Sequence, residues 1–507
     1  MDLKIFLPPA KAPQGYEYTA EARAAMQLSK IFGTDEFHGI PLSFPLLPAF
    51  NQQFMEGWTQ DARLLSPASQ MRQLARQVLF PAMWRARRAR TGIPQEIPRG
   101  GLLVRIEAAE MKKQWSLISG ILPHLRKLPV WLLCGDKQVP PHCLSSGFST
   151  MPNDVILDGA LAEFSSAYFP RLVRWNRTLR RGLATLGLPP QAAFRFSAVM
   201  GETLMAGVQA QAILKETRPK MIVVDCDHHP ISVWLIFFAK QLGIPTVTLQ
   251  HGTLADLLFY LPLWADQALI WGEEHARTFS DFGADNDRLH IVGCPRVDSS
   301  VLSGADTSRA AAILEIPPGN RVVMLATSRE LDVDRFRLAR MALDAVHSCP
   351  GHTLLIKCHP TEDSAFYRAA FGTEDDVKIV SDSELGLPLA LALADVVLTQ
   401  WSGVTGDAML KGKPVILLDL GQGLMSNQKI LDAEACLAAH DARGLAALLK
   451  EETYSRHRNA PLHERAEAYI RTFYAAHGEE AAQLTAAALQ ELWQRACASP
   501  QTIGTVH

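Results

Sequence analysis

A histidine held in a glycine turn suits proton transfer near neutral pH, and the chain has one in Gln250-His251-Gly252-Thr253. It directly follows the β-rich run Pro245–Gln250, so the His251 imidazole would stand at a strand end and serve as a general base, worth roughly 10²–10⁴-fold when well placed. A histidine that only caps a strand is the plain alternative. Three further groupings suit an anion. Thr327-Ser328-Arg329 offers two hydroxyls and a guanidinium whose planar fork bonds two oxygens at once. Lys357-Cys358-His359-Pro360 places an imidazole N–H in a turn that Pro360 fixes. Thr399-Gln400-Trp401-Ser402-Gly403-Val404-Thr405-Gly406-Asp407 crosses from strand to helix, where hydroxyls and free backbone N–H groups would face an anion on the helix dipole, with Asp407 set to reach a ribose hydroxyl. Each has an ordinary reading: a surface arginine, a chance His-Pro, an N-cap at Ser402. Taken in order, on alternate strand ends, they point to one site.

Elements of alternating kind must position these residues. Leu102–Glu107 reads as a strand, Met111–Leu122 as a helix and Val130–Cys134 as a strand. Apolar spacing predicts helices over 163–190 and 197–216, then a strand at Lys220–Asp225, a buried helix at 231–242, and strands at Pro245–Gln250 and Gln267–Trp271. Residues 294–320, with Cys-Pro-Arg and Pro317-Pro318-Gly319-Asn320, form a break. The alternation then restarts: strands at Val322–Ala326, Thr353–Lys357, Val377–Val380, Val396–Thr399 and Val415–Leu418, with helices over 332–348, Glu384–Ala394 and 403–412. An amphipathic helical tail covers 463–496, interrupted at Gly478. Strand–helix alternation on both sides of a break argues for two Rossmann-like parallel α/β halves, with ligand in a cleft beyond the strand C-termini. The expected divisions are 1–300, 301–460 and a helical tail, 461–507. The first hundred residues carry little pattern beyond a helical reading of 66–92.

Composition narrows the function classes. With 507 residues, 48% apolar and 20% charged, the chain has ample surface to bury and disorder is excluded as its main state. Fifty Lys+Arg against 52 Asp+Glu leaves −2, so no whole-chain field attracts nucleic acid. The eight cysteines form no C-x-x-C pair or zinc spacing, so no metal is expected, and scattered thiols fit a reducing compartment. No apolar run reaches the ~20 residues of a membrane span, which gives a cytoplasmic protein. The basic run Arg85–Arg90 reads first as a solvated helix face; its alternative is peripheral contact with anionic lipid at the inner membrane, bringing a lipid-linked acceptor to the site. Arg171, Arg174, Arg177, Arg180 and Arg181 recur around Trp175 as a polar helix face.

Five segments together resemble a known group: Gly243–Thr253 with its Gln-His-Gly, Val292-Gly293-Cys294-Pro295-Arg296-Val297-Asp298, Thr327-Ser328-Arg329, His359-Pro360, and Ser402-Gly403…Asp407…Gly412-Lys413-Pro414. They are similar to GT-B transferases of the bacterial capsule and teichoic-acid kind, the CDP-glycerol glycerophosphotransferases and capsule Kdo or sialic acid transferases. The resemblance covers roughly residues 220–420; residues 1–200 match nothing nameable. It implies a metal-independent transferase without cofactor, a nucleotide-sugar donor (here a CMP-activated acidic sugar) and a surface-glycan, lipid-linked or protein acceptor. His251 falls where glycerophosphotransferases keep a base histidine in Trp-His-Gly-Thr-Pro. Gln250 and Leu254 replace that Trp and Pro, closer to the Gln-His-Gly of capsule sugar transferases. Thr327, Ser328, Arg329, His359, Pro360, Ser402, Gly403, Thr405 and Asp407 fall on the donor side, and Gln250, Gly252, Thr253 and Arg296 around the base. A sialyltransferase-like base would be a carboxylate, which Asp225-Cys226-Asp227 supplies; Asp227 is thus the rival of His251. The run Gln400-Trp401-Ser402-Gly403 lacks the Asp-Ser-Gly-Gly of UDP-N-acetylglucosamine 2-epimerases. Such an isomerase and a catalytically silent binding protein are the alternatives.

Overall fold

The computed structural model describes residues 20–55, 99–107, 112–135, 141–152, 160–189, 192–252, 254, 258, 260–296, 303–328, 332–360, 362–400, 402–421 and 428–498. The reading of 66–92 as a helix and the basic run Arg85–Arg90 lie outside them. The chain divides into two compact units: Met1–His251 with Asp256–Val297 and Ala476–His507, and Gly252–Ala255 with Asp298–Ala475.

The first unit is built on seven parallel strands: β1 (Leu102–Ile106), β2 (Val130–Cys134), β3 (Ser149–Pro152), β4 (Met221–Val224), β5 (Thr246–Leu249), β6 (Gln267–Ile270) and β7 (Leu289–Ile291). Their spatial order is β3-β2-β1-β4-β5-β6-β7. The chain thus starts in the middle, runs to one edge, then crosses back. That is the doubly wound order, with the strand sequence reversing between β1 and β4. Alternate residues of β1 face opposite sides. Leu102, Val104 and Ile106 join a core with Leu117, Ile118 and Leu122, while the fully buried Arg105 takes the other face.

That other face is covered by helices, two of them from the first hundred residues, where the sequence carried little pattern. Helix Ser43–Met55 packs against Ala192–Thr217 and Pro230–Gln241, and Ala20–Lys30 packs against Ser43–Met55 in turn. Aromatic side chains make the joint: Phe44 stacks on Phe237 with centroids 5.2 Å apart, and the Trp234 indole donates to the Thr203 carbonyl at 2.7 Å. In helix Ala160–Thr185 Trp175 is fully buried and Arg171, Arg174, Arg177, Arg180 and Arg181 are exposed, Arg174 pairing with Asp35.

The second unit repeats the plan with six parallel strands: β8 (Arg321–Ala326), β9 (His352–Lys357), β10 (Val377–Val380), β11 (Val396–Thr399), β12 (Val415–Leu418) and β13 (Leu437–Ala439). The order β10-β9-β8-β11-β12-β13 again reverses beside the first strand, between β8 and β11. Both faces are buried, as parallel sheets require: Val323 and Leu325 enter one core, Val322, Met324 and Ala326 the other.

The helical tail is not one piece. Helix Ala460–Phe473 belongs to the second unit, where its neighbour is helix Val404–Leu410; a Cβ on Gly406 would lie 2.5 Å from the Tyr474 hydroxyl. Helix Gly478–Ala498 belongs to the first unit, burying Ala482, Ala486, Leu489 and Leu492 in the β1–β4 core. The reason is a backbone bridge: Cys294 N–H donates to Ala476 O at 2.9 Å and Gly478 N–H to Cys294 O at 3.0 Å. Residues up to Ala475 thus group with the second unit and those from Ala476 with the first.

Candidate functional site

Each unit places its chemistry at the C-terminal ends of central strands. In the first unit Gln250 follows β5 and is buried; its side-chain Oε1 accepts from the Trp271 N–H at 2.9 Å. That bond, from the residue after β6, fixes the departure of the next residue, His251. The imidazole of His251 is half-buried and lies parallel to Tyr260, ring centroids 4.7 Å apart. Arg296 stacks over the Trp271 ring at 4.9 Å and donates to the His251 carbonyl. Gln250, His251 and Arg296, separated by 46 positions between first and last, are thus one assembly. Gly252 is buried, and Thr253 lies outside the described residues.

Asp227 is held differently. Its carboxylate is 4% exposed, pairs with His228 Nδ1 at 2.8 Å and accepts the backbone N–H groups of Trp264 at 2.9 Å and Ala265 at 3.3 Å. Those bonds tie the β4 end to the loop before β6.

Between β1 and β4 sits a charged group of which sequence reasoning had singled out only Asp225. Arg105 Nη2 donates to Glu107 Oε2 and approaches His229 Nδ1 at 3.2 Å, while His229 Nε2 bonds Glu107 Oε1. Asp225 Oδ2 accepts the Glu107 N–H at 2.8 Å, and its Oδ1 lies 3.7 Å from Arg105 Nη1. Burial pushes Asp225 up to about 7, against the pull of Arg105. Burial would raise Glu107 too, but Arg105 and His229 overcome it and hold that carboxyl down at about 2. His229 is lowered by burial, with Glu107 opposing. A lone arginine inside an otherwise apolar parallel strand, Leu-Leu-Val-Arg-Ile, was the available signal.

In the second unit the donor-side residues stand at the ends of β9, β8 and β11, three neighbours in the sheet. Thr327 follows β8, His359 follows β9, and Glu362 joins them. The Thr327 hydroxyl donates to Glu362 Oε2 and accepts the His359 N–H at 2.8 Å; that N–H also lies 3.2 Å from Glu362 Oε2. Arg335 pairs with Glu362 Oε1 at 3.2 Å. Glu362 was also missed, although it stands three residues after His359, the reach of one turn. Ser328 and His359 are half-buried and Pro360 is exposed; Arg329 lies outside the described residues. After β11, Ser402 and Gly403 are half-buried, and Ser402 Oγ accepts the Val404 N–H at 3.3 Å. The cap position falls on Gly403 rather than Ser402, with no side-chain cap bond. The helix that follows has seven residues, so its dipole is short and any anion there would rely on Ser402, Gly403 and His359. Thr405 is 1% exposed, and Asp407 is half-buried one turn into the helix.

Among the described residues no group of three or more His, Cys, Asp or Glu side chains is placed to hold a metal ion, and no helix is long and apolar enough to cross a membrane.

Parts of this chain are similar to known proteins. Residues 268–466 match the family described as CDP-glycerol:poly(glycerophosphate) glycerophosphotransferase. A teichoic acid glycerol-phosphate primase of Bacillus spizizenii is 24% identical over 192 residues, 37% of this chain and 49% of that protein. The match therefore spans about half the length of that relative. Among solved structures, a UDP-GlcNAc 2-epimerase from Neisseria meningitidis bound to UDP-GlcNAc gives a TM-score of 0.52 at 12% identity, covering 77% of this chain and all of the other. S. aureus MnaA, solved with UDP, gives 0.51 at 11%, covering 80% of this chain and 100% of that one. At such identities the likeness concerns the fold. With two doubly wound sheets and these structural likenesses, the chain has the GT-B fold, and its residues 268–466 are similar to the glycerophosphotransferases of the teichoic-acid kind.

Proposed function

We propose that the protein transfers an activated polyol phosphate from a cytidine-diphosphate donor, CDP-glycerol in first place, to a hydroxyl of a surface-glycan, lipid-linked or protein-linked acceptor. The observation that carries this reading is the row Thr327–Glu362–His359 and Ser402-Gly403 on three adjacent strand ends, inside the segment that matches the glycerophosphotransferase family. The CMP-activated acidic sugar drawn from the Gln250-His251-Gly252 form rests on that tripeptide alone, and Gln250 has a structural task in holding Trp271.

In this reading His251 takes the proton of the acceptor hydroxyl. The freed oxygen attacks the distal phosphorus of the donor, forming a new P–O bond. The anhydride P–O bond breaks and CMP leaves with the electron pair. His359, Ser402 and the Gly403 N–H are the donors that would stabilise the departing phosphate, a preorganised electrostatic role. Arg296, by gripping the His251 carbonyl, positions the turn that presents the imidazole. The step invokes no metal. His251 is preferred over Asp227 because the Asp227 oxygens are already engaged by two backbone N–H groups and His228.

A thermal-shift panel of CMP, CDP, UDP, GDP and CDP-glycerol tests the donor. At 100 times Kd a ligand adds about 2.7 kcal/mol, a readily measured rise in Tm. A rise with CDP-glycerol, and with CMP or CDP, is expected. A rise with UDP alone would overturn the donor assignment, and no rise with any of them would favour a silent binding protein.

A further inference from the structure

Residues 260–266, the approach to β6, form neither helix nor strand, yet Tyr260, Leu261, Leu263, Trp264 and Ala265 are buried. Buried backbone outside a ladder must find other partners for its N–H and C=O groups. Two charged side chains supply them. Asp227, beyond the end of β4, accepts the Trp264 N–H at 2.9 Å and the Ala265 N–H at 3.3 Å on one oxygen, Oδ2. Arg288, just before β7, donates to the carbonyls of Leu263 at 3.0 Å, Ala265 at 2.6 Å and Asp266 at 3.1 Å. The segment is thus clasped between a carboxylate and a guanidinium. At its head Tyr260 lies on the His251 imidazole, the two rings 16° from parallel.

His228 completes the clasp. Its fully buried side chain bonds the other Asp227 oxygen, Oδ1, through Nδ1 at 2.8 Å, and its ring lies 5.7 Å from that of Trp264, centroid to centroid. Among the described residues its Nε2 makes no hydrogen bond. A buried polar atom left unmet costs about 1–3 kcal/mol, so a position that only needed filling would be better served by a hydrocarbon side chain. What the imidazole adds is the Nδ1 bond. It holds the carboxylate so that the remaining oxygen faces both backbone N–H groups.

Resting on the transferase reading above, we infer that Asp227 and His228 are positioning residues for His251, acting through the segment they clasp and the Tyr260 ring at its head. Arg296 grips His251 by its carbonyl, while Tyr260 sets the plane of its ring. A reacting group misplaced by about 1 Å can lose about 10²-fold in rate, so the tie that sets this plane bears on the proton transfer without touching substrate.

Diethyl pyrocarbonate, which acylates neutral imidazole, reads the setting of His251 in the full chain. Peptide mass spectrometry gives the labelling rate there and, as a control in the second unit, at His359. A hydrogen bond to a charged group is worth a factor of about ten or more. His228→Leu, which deletes it, should therefore speed labelling of His251 about tenfold and leave His359 unchanged. His228→Asn, whose Nδ2 takes the place of the ring Nδ1, should restore the slow rate. Asp227→Asn is isosteric, spares the fold and weakens the charged bonds, so a rise of about threefold is expected. In kinetics with varied CDP-glycerol, His228→Leu should lower kcat about tenfold with the donor KM unchanged. It should cost nothing further in the His251→Ala chain, since a residue acting through another loses its effect when that one is gone. Labelling indifferent to both His228→Leu and Asp227→Asn, failure of His228→Asn to rescue, or kinetic losses that multiply would each overturn the inference. Coupled labelling with no thermal response to any nucleotide would remove the transferase reading and leave the clasp standing; a CDP response with uncoupled labelling does the reverse.

Discussion

At the scale of single residues, the second unit shows how little of a site is the residue that touches substrate. His359 and Thr327 come from strands thirty positions apart, and Glu362 registers them by accepting the hydroxyl and lying against the His359 N–H. Glu362→Gln keeps the shape but loses the charge that Arg335 neutralises. It should raise the donor KM about tenfold or more, since a charged hydrogen bond is worth about 1.5–3 kcal/mol, with kcat changed less. Steady-state kinetics with varied CDP-glycerol measures it; an unchanged KM would deny Glu362 a positioning role. His251→Ala should cost 10²–10⁴-fold in kcat while leaving the CDP thermal shift intact, because the imidazole acts on the proton and not on the nucleotide. If Asp227→Asn loses transfer in a folded protein and His251→Ala does not, the base is the carboxylate. The chemistry-bearing types at strand ends were legible in the sequence because turn residues and β-runs are local signals. Glu362 and the Arg105–Glu107–His229 group were not, because their meaning depends on partners up to 124 positions away.

Elements carry the next set of consequences. The strands Val396–Thr399 and Val415–Leu418 are where continuous apolar runs predict them, since central parallel strands are buried on both faces and need no alternation. The short edge strands β3, β7 and β13 gave no such run and were passed over. The final helix is the less expected element: it docks on the first unit through Leu489 and the bridge at Gly293–Cys294. Gly293 has φ +80°, and a Cβ there would lie 2.2 Å from the Ala476 carbonyl oxygen. Gly293→Ala should therefore cost the ~1–3 kcal/mol of a strained backbone and more from the clash. Leu489→Ala, which empties a core position, should cost about 2–5 kcal/mol. Urea unfolding followed by circular dichroism reads both; neutral substitutions would mean that the tail is not part of the folded unit.

For the molecule as a whole, the buried charge between β1 and β4 links stability to pH. Asp225 has its pKa raised from 3.8 to about 7 by burial, so the folded state holds a proton there that the unfolded chain releases near pH 4. That contribution is full below pH 4 and is lost as pH rises through 7. Glu107 works in the opposite sense, its contribution present above pH 4.5 and lost as pH falls toward 2. The two windows barely overlap, so between pH 4.5 and 7.5 the Asp225 slope stands alone in this pair. Asp225→Asn, which keeps an acceptor for the Glu107 N–H, should flatten the decline of Tm across that window relative to the unchanged chain. A parallel decline in both proteins would place the proton elsewhere.

By itself the sequence determined two α/β halves with parallel sheets, the break between them and the strand ends that carry His251, Thr327, His359 and Ser402. All of these follow from apolar runs, turn residues and the spacing of a few polar types within a short window. Tertiary structure alone decided that Ser43–Met55 roofs a cavity, that Arg105 is buried at its floor beside Glu107 and Asp225, that Asp227 is spent on backbone bonds and that the last helix returns to the first sheet. Those facts depend on which faces meet after the chain has doubled back twice, and long-range packing leaves no local trace in composition or period.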